Sequence, residues 1–209
     1  MNNSKLLLVL ALALYAVLPT YAQDDAIQDS EGNDYRVVEI GSQTWMAENL
    51  RVEESPCSDD DQISFANGSE RGTDATFQDG QPHYAYYQNR PELSFGALYN
   101  QSAVLECDLC PSGYRLPTKA DWEALVEELG GLEKAGEQLK SDGKRGFQAE
   151  MMGRIKTGGS TMEGKTVSWW TLDNDGTEAF TVELASDGTL TLYEKGNEQF
   201  GNYVRCVKE

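Results

Sequence analysis

Four cysteines constrain the fold of this chain more than any other feature of its sequence. They are Cys57, Cys107, Cys110 and Cys206, and two of them stand in the sequence Cys-Asp-Leu-Cys. A redox-active pair at this spacing is normally followed by a helix that lowers a thiol pKa, whereas residues 111–113 (Pro-Ser-Gly) predict a turn. A four-cysteine zinc site would draw its ligands from two close pairs, and here there is only one. Structural disulfides are therefore expected, with three connectivities open.

The amino-terminal residues indicate an oxidising compartment for these cysteines. Lys5 precedes an apolar run over residues 6–18, and the pattern that ends at Ala22 predicts a signal peptide over residues 1–22, cleaved before Gln23. The run is shorter than the ~20 residues that a membrane-spanning helix needs. The expected mature protein is secreted, periplasmic or on the outer cell surface, without a membrane span, and disulfides persist there.

A strong excess of acidic side chains limits the partners of the protein. The 209 residues include 17 basic and 35 acidic side chains, which give a formal net charge of −18. This charge repels nucleic-acid phosphates and anionic membranes, so neither is expected as a partner. Cationic partners, divalent ions or solubility alone are all compatible with it. A flexible acidic lead-in is expected over residues 23–34, followed by one domain over residues 35–209.

Helical signals are confined to the middle of the chain. Thr118 follows Pro117 and precedes Asp121 at the spacing of a capping box, which predicts a helix start. Apolar residues then recur at helical spacing as far as Gly130, which is suited to end the helix. A second helix is expected over residues 132–140.

Strand signals lie on either side of these helices. The expected strands and hairpins cover residues 35–46, 167–172, 180–192 and 202–209. Residues 95–104 are expected as a short strand and turn, and residues 51–81 as a long irregular loop. Strands, then helices, then strands predict an α+β fold with antiparallel sheets.

Several short segments occur in an order that resembles a family of exported bacterial proteins. They read IGSQTWMAENL, FGALYNQSAV, CPSGYRLPTKADWEAL, AGEQLKS, GFQA, SWW and YVRCVKE. The chain is similar to the Fibrobacter succinogenes major paralogous domain family over roughly residues 32–209. The resemblance implies a C-type-lectin-like fold with two helices, long loops and terminal strands that lie together. It implies no defined activity.

Two further expectations accompany this resemblance. Cys110 is expected to pair with Cys206, which ties the segment before the first predicted helix to the last strand and leaves Cys57 for Cys107. The segment RLPTKADWE is also similar to formylglycine-generating enzymes, which bind copper through two cysteines late in the chain. Only Cys206 lies there in this sequence, so that activity is the least favoured.

Residues 150–155 depart from the usual family sequence, so no ligand surface is carried over from relatives there.

The segment Asp-Asn-Asp-Gly-Thr-Glu offers the best candidate metal site. Asp173, Asp175 and Glu178 could present oxygen ligands around a turn at Gly176, and calcium prefers such ligands. Asn-Asp-Gly is also ordinary turn chemistry, and that alternative stays open. The acidic run at residues 59–61 is interpreted as a solvated surface. No other cofactor is expected.

Aromatic residues provide the candidate ligand-binding surface, because sugar rings stack on aromatic faces. The five candidates are Trp169, Trp170, Tyr84, Tyr86 and Tyr87. Burial in the core is the alternative fate of such residues. Their exposure therefore separates the two interpretations.

The sequence favours a non-catalytic function. His83 is the only histidine, and no nucleophile motif accompanies it. The leading hypothesis is a secreted module that recognises glycan or a cell-surface protein. The alternative is a structural component of the cell envelope that binds no small ligand.

Overall fold

The structure is a computed structural model that describes residues 26–58, 62–66, 77, 80–93, 95–143, 145–156 and 159–209. The predicted signal peptide, its cleavage site and the acidic run at residues 59–61 lie outside the described residues. Within the described part, no helix has the length and apolar character needed to cross a membrane.

Thirteen strands and three α-helices make up the described part of the chain. The strands are β1 (Ala26–Gln28), β2 (Asp34–Ile40), β3 (Gln43–Met46), β4 (Ser64–Phe65), β5 (His83–Ala85), β6 (Leu98–Tyr99), β7 (Tyr114–Arg115), β8 (Met152–Lys156), β9 (Gly159–Glu163), β10 (Thr166–Leu172), β11 (Ala179–Ala185), β12 (Leu190–Lys195) and β13 (Val207–Lys208). The helices are α1 (Gln101–Glu106), α2 (Lys119–Glu128) and α3 (Leu132–Leu139).

The strands form three mostly antiparallel sheets, which makes the fold α+β. The first sheet has the order β1-β2-β3-β13-β7, so its first and last strands in the sequence share one sheet. The second has the order β12-β11-β10-β8-β9, and the third has the order β4-β5-β6. Parallel pairing occurs only between β8 and β10 and between β4 and β5 in the sheets described. The predicted hairpins around Gly41 and Gly188 are present, and both glycines have positive φ.

Three local expectations differ from the structure. Ser64–Phe65, within the irregular loop expected over residues 51–81, form β4 because they pair with β5. Residues 26–28, expected in a flexible lead-in, form β1 because they pair with β2, with Ile27 opposite Tyr35. Residues 101–104, expected within a short strand and turn, form α1 together with residues 105 and 106. The Asn100 side chain accepts a hydrogen bond from the backbone N–H of Ala103 at 3.0 Å and caps that helix. The described part therefore has three helices where the sequence predicted two.

The start of α2 is fixed by the carboxylate of Asp121. Its Oδ2 accepts hydrogen bonds from the backbone N–H of Thr118 at 2.7 Å and from the Thr118 hydroxyl at 2.9 Å. Arg115 on β7 binds the same oxygen at 2.7 Å. This network orients α2 so that Trp122 faces inward.

A cluster of four fully buried aromatic rings joins the helix to two sheets. The ring of Trp122 on α2 lies 5.1 Å from Trp45 on β3 and 5.8 Å from Trp169 on β10, measured between centroids. Phe147 completes the cluster at 6.1 Å from Trp122. Burial of such large rings contributes much of the driving force for folding.

Two disulfides tie the loops to this framework. Cys110 pairs with Cys206, so the segment before β7 is bonded to the segment before the neighbouring strand β13. Cys57 pairs with Cys107, which follows α1. These are the pairs expected from the sequence, and they leave none of the four cysteines free.

Candidate functional site

The two tryptophans proposed as a sugar-stacking surface lie in the core. Trp169 and Trp170 are both 0% exposed. The Trp169 indole donates a hydrogen bond to Asn49 Oδ1 at 3.0 Å, and the Trp170 indole donates one to the carbonyl of Tyr99 at 2.6 Å. Of the two alternatives that the sequence left open, burial in the core is the one found: strand β10 is covered on both faces, so successive residues are buried together.

The three candidate tyrosines do not form an open aromatic surface either. Tyr84 and Tyr87 are buried, and only Tyr86 is partly exposed. The hydroxyls of Tyr84 and Tyr86 both donate to the carboxylate of Glu53, in the first case at 3.1 Å. Burial first, and then the negative charge of Glu53, raise the pKa of the Tyr84 hydroxyl above its ordinary value. These hydroxyls serve as an internal hydrogen-bonding cluster.

The carboxylates proposed to bind calcium are used within a turn. Asp173 Oδ1 accepts the backbone N–H groups of Thr177 at 2.8 Å and Glu178 at 3.0 Å. Asp175 accepts the Thr177 hydroxyl at 2.8 Å, while the Glu178 carboxylate lies 3.8 Å from Lys195 Nζ. The described residues contain no group of three or more side chains placed to hold a metal ion, so nothing in their arrangement supports the calcium site predicted at these three positions.

The same turn stabilises the start of α2. Asn174 Oδ1 accepts the backbone N–H of Ala120 at 3.1 Å, which satisfies one of the free donors of the first helical turn. The hydrogen bond from the backbone of Glu178 is the main reason that the pKa of Asp173 lies below its ordinary value. The sequence left open whether this segment is an ordinary turn, and in the structure the turn has a structural role, because it supports the start of α2.

His83 is packed between two strands. It is buried on β5, and its Nδ1 lies 2.8 Å from the hydroxyl of Ser64, its direct partner on β4. Its backbone N–H donates to Asn100 Oδ1 at 2.9 Å. This contact follows from the strand register, since the two residues are opposite each other.

The strongest candidate site is a polar cleft that no sequence pattern indicated. We call it the Arg205 cleft, and its volume is about 420 Å³. It is lined by Arg36, Ala47, Glu48, Asn49, Arg51, Phe95, Gln148, Glu150, Met152 and Arg205. These residues come from β2, from the segment after β3, from the first residue of β8, and from the loops that precede β6, β8 and β13.

Asn49 connects the cleft to the aromatic core. Its Oδ1 accepts both the Trp169 indole N–H and the Arg205 Nε–H, the latter at 2.8 Å, and its Nδ2 donates to the carbonyl of Phe95 at 2.7 Å. Gly96, with φ of 98°, permits this close approach, because a Cβ there would lie 2.5 Å from Asn49 Cβ. Asn49 thus fixes the orientation of both ring and guanidinium.

Arg205 is a buried cation held by carbonyl groups. It is 3% exposed, and it donates to the carbonyls of Phe147 and, at 3.2 Å, Gln148. The guanidinium carbon lies 4.3 Å from the centroid of the Phe147 ring, a cation–π contact. Gln148 has a φ of 54°, which a non-glycine residue adopts at a cost of about 1–3 kcal/mol and which is common at functional sites.

The exposed Arg36, the half-buried Arg51 and Glu48 form the rim of the cleft. Arg36 Nε binds Glu48 Oε1 at 2.8 Å, and Arg36 also contacts the Gln148 side-chain oxygen. Arg51 lies 3.9 Å from the other oxygen of Glu48, and its guanidinium stacks 4.5 Å from the ring centroid of Tyr35. Both arginines are therefore held in place on the rim.

The lining of the cleft carries more positive than negative charge, in contrast to the chain as a whole. Three arginines and two glutamates line it, while the chain has a formal net charge of −18. Burial lowers the pKa of Arg205 to about 9, against the opposing effect of Glu48 and Glu150. The guanidinium still carries its charge at neutral pH. The arrangement offers fixed hydrogen-bond donors and acceptors to a small polar ligand.

The sequence contains only one weak indication of this site. Arg205 stands between Val204 and Cys206 in a segment that indicated only a final strand. A charged residue among buried neighbours was the one available signal, since a buried charge requires specific partners.

Comparison with known proteins identifies a family and no closer relative. The Fibrobacter succinogenes major domain matches residues 38–208 of the chain. No curated protein and no solved structure matches it.

Proposed function

The chain belongs to the Fibrobacter succinogenes major domain family, and on that premise we propose that it is an exported, non-catalytic recognition module with a C-type-lectin-like fold. The pairing of the first and last strands in one sheet supports this fold, as does the small helical content. The two disulfides and the amino-terminal signal pattern support export.

The Arg205 cleft is the observation that carries the recognition function. It is concave, its polar groups converge, and its volume is within the range of small-ligand sites. Amide, carboxylate and guanidinium groups pair well with hydroxyl groups, so a glycan is the ligand we favour over a protein. We therefore propose that the ligand binds in this cleft and not at the buried aromatic residues.

A glycan array with three forms of the protein tests the proposal. The cleft variant combines Arg36→Ala with Glu150→Ala, both exposed residues of the lining. The control variant combines Glu178→Ala with Lys195→Ala, an exposed ion pair in another part of the fold. Each pair removes one positive and one negative charge.

We expect the wild type and the control variant to bind the same glycans and the cleft variant to lose most of that signal. Equal binding by all three forms would place the site elsewhere. Absence of any glycan signal from the wild type would refute glycan recognition.

A structural role in the cell envelope is the second candidate. The full burial of Trp169 and Trp170 favours it, because these rings act as core residues. A formylglycine-generating activity is not proposed. Such enzymes need reactive cysteines late in the chain, and Cys206 is bonded to Cys110.

A further inference from the structure

We propose that the Arg205 cleft recognises the carboxylate of an acidic saccharide, a hexuronate residue, and that Arg205 receives this carboxylate. The inference rests on the recognition function proposed above and names its ligand class.

Arg205 lacks a counter-ion in the described part of the chain. Among the described residues, its hydrogen-bond acceptors are an amide oxygen of Asn49 and the carbonyls of Phe147 and Gln148, and it forms no ion pair with a carboxylate. These contacts use three of the five N–H donors of a guanidinium. A buried cation normally has an anionic partner. Arg205 lines the cleft, and its other two N–H donors are those that we propose for the ligand.

The charges around Arg205 favour a monoanion. Arg36 and Arg51 on the rim add positive charge, while Glu48 and Glu150 limit it. The three arginines and two glutamates leave the lining one positive charge in excess, so a monoanion neutralises it, whereas a dianion such as phosphate would leave a net negative charge. A carboxylate carries one negative charge, and its two oxygens match the fork of a guanidinium.

The remaining lining suits the hydroxyl groups of a sugar. Glu150 and Gln148 present side-chain oxygens that can accept hydrogen bonds from hydroxyls. Phe95 is partly exposed and offers a ring for the C–H face of a pyranose. An acidic peptide would use a sheet edge or apolar side-chain pockets, whereas the cleft is lined mainly by polar residues. The saccharide is therefore the favoured source of the carboxylate.

Isothermal titration calorimetry with a matched pair of ligands tests the inference. The probes are a trimer of galacturonic acid and the same trimer with every carboxylate methyl-esterified, which removes the charge and keeps the hydroxyls. We expect the acid to bind at least about tenfold more tightly than the ester, because a charge-assisted hydrogen bond is lost. A tetra-aspartate peptide is titrated in parallel.

Three variants locate the contact. Glu150→Gln removes one repelling carboxylate from the lining, keeps a side-chain oxygen as acceptor and should strengthen binding of the acid severalfold. Glu178→Gln, an exposed glutamate outside the cleft, is the matched control and should leave it unchanged. Arg205→Lys keeps the charge without the planar fork and should weaken binding of the acid at least about tenfold. If it does not fold, the comparison of Glu150→Gln with Glu178→Gln still decides.

The outcomes separate this inference from the proposed function. Equal affinity for the acid and its ester, or an unchanged affinity in Glu150→Gln, would overturn the carboxylate and leave glycan recognition standing. Binding of the aspartate peptide without the trimer would overturn the saccharide in favour of a protein ligand. Binding of no saccharide, here or on the array, would overturn both.

Discussion

Replacing Asn49 by alanine tests whether one side chain holds the cleft and the core together. The change removes the acceptor shared by the Trp169 indole and Arg205 Nε, and the donor that binds the carbonyl of Phe95. All three groups are buried or partly buried, so water cannot easily replace the lost partner. The variant should therefore lose more stability than the removal of a few side-chain atoms would cost by itself.

The expected magnitude follows from the three hydrogen bonds. A neutral hydrogen bond contributes about 1 kcal/mol to stability, and one to a charged group about 1.5–3 kcal/mol. Asn49→Ala should thus lower the free energy of unfolding by about 3–5 kcal/mol, a large part of the stability of a typical domain. Asn197→Ala is the matched control. Asn197 is exposed and accepts one hydrogen bond, from the backbone of Gln199 at 2.8 Å, so its loss should cost less than about 1 kcal/mol.

Urea unfolding followed by circular dichroism, under non-reducing conditions, measures both variants. The midpoint of Asn49→Ala should fall well below that of Asn197→Ala, with an unchanged dependence on urea. A loss of less than 1 kcal/mol in Asn49→Ala would refute the reasoning, since it would mean that Asn49 does not hold Arg205 in place.

Three further predictions concern the framework. Replacing Cys110 and Cys206 together by alanine opens a loop with a sequence separation of 96 and should cost about 4–5 kcal/mol by urea unfolding; a loss below 1 kcal/mol would contradict the pairing. Burial raises the pKa of Asp121, but the hydrogen bonds to its carboxylate outweigh burial, so this pKa lies below its ordinary value. The stabilisation from the charged carboxylate is therefore present above the unfolded pKa of about 4 and is lost as pH falls through the lower folded value. The stability difference between wild type and Asp121→Asn should therefore shrink between pH 6 and pH 3, and a constant difference would count against this. Gly136→Ala would place a Cβ 1.9 Å from the carbonyl oxygen of Gly188, so a loss of about 1–3 kcal/mol is expected and an unchanged melting temperature would exclude the close packing.

The elements that the sequence predicted are those with strong local signals. The helix that Thr118 and Asp121 begin is present, as are the hairpins at Gly41 and Gly188, because capping and turn chemistry act over a few residues. Helix α1 was missed, since six residues carry too little periodicity to indicate a helix.

The candidate site could not be predicted by the same means. Trp169 and Trp170 look like ligand-binding residues in the sequence, and only the covering of β10 on both faces shows that they are buried. The cleft combines Arg36, Asn49 and Arg205, which are separated by up to 169 positions in the sequence. Such contacts depend on tertiary packing, which a local pattern does not report.

The most direct test of the binding site uses the indole N–H signals of the protein in ¹H–¹⁵N NMR spectra. During titration with the galacturonic acid trimer, the signal of Trp169 should shift together with Arg205 Nε, because both donate to Asn49. The indoles of Trp45 and Trp170 donate to other partners, Gln43 and Tyr99, and should stay in place. Shifts confined to Trp45 or Trp170, or no shift at all, would contradict a carbohydrate site in the Arg205 cleft.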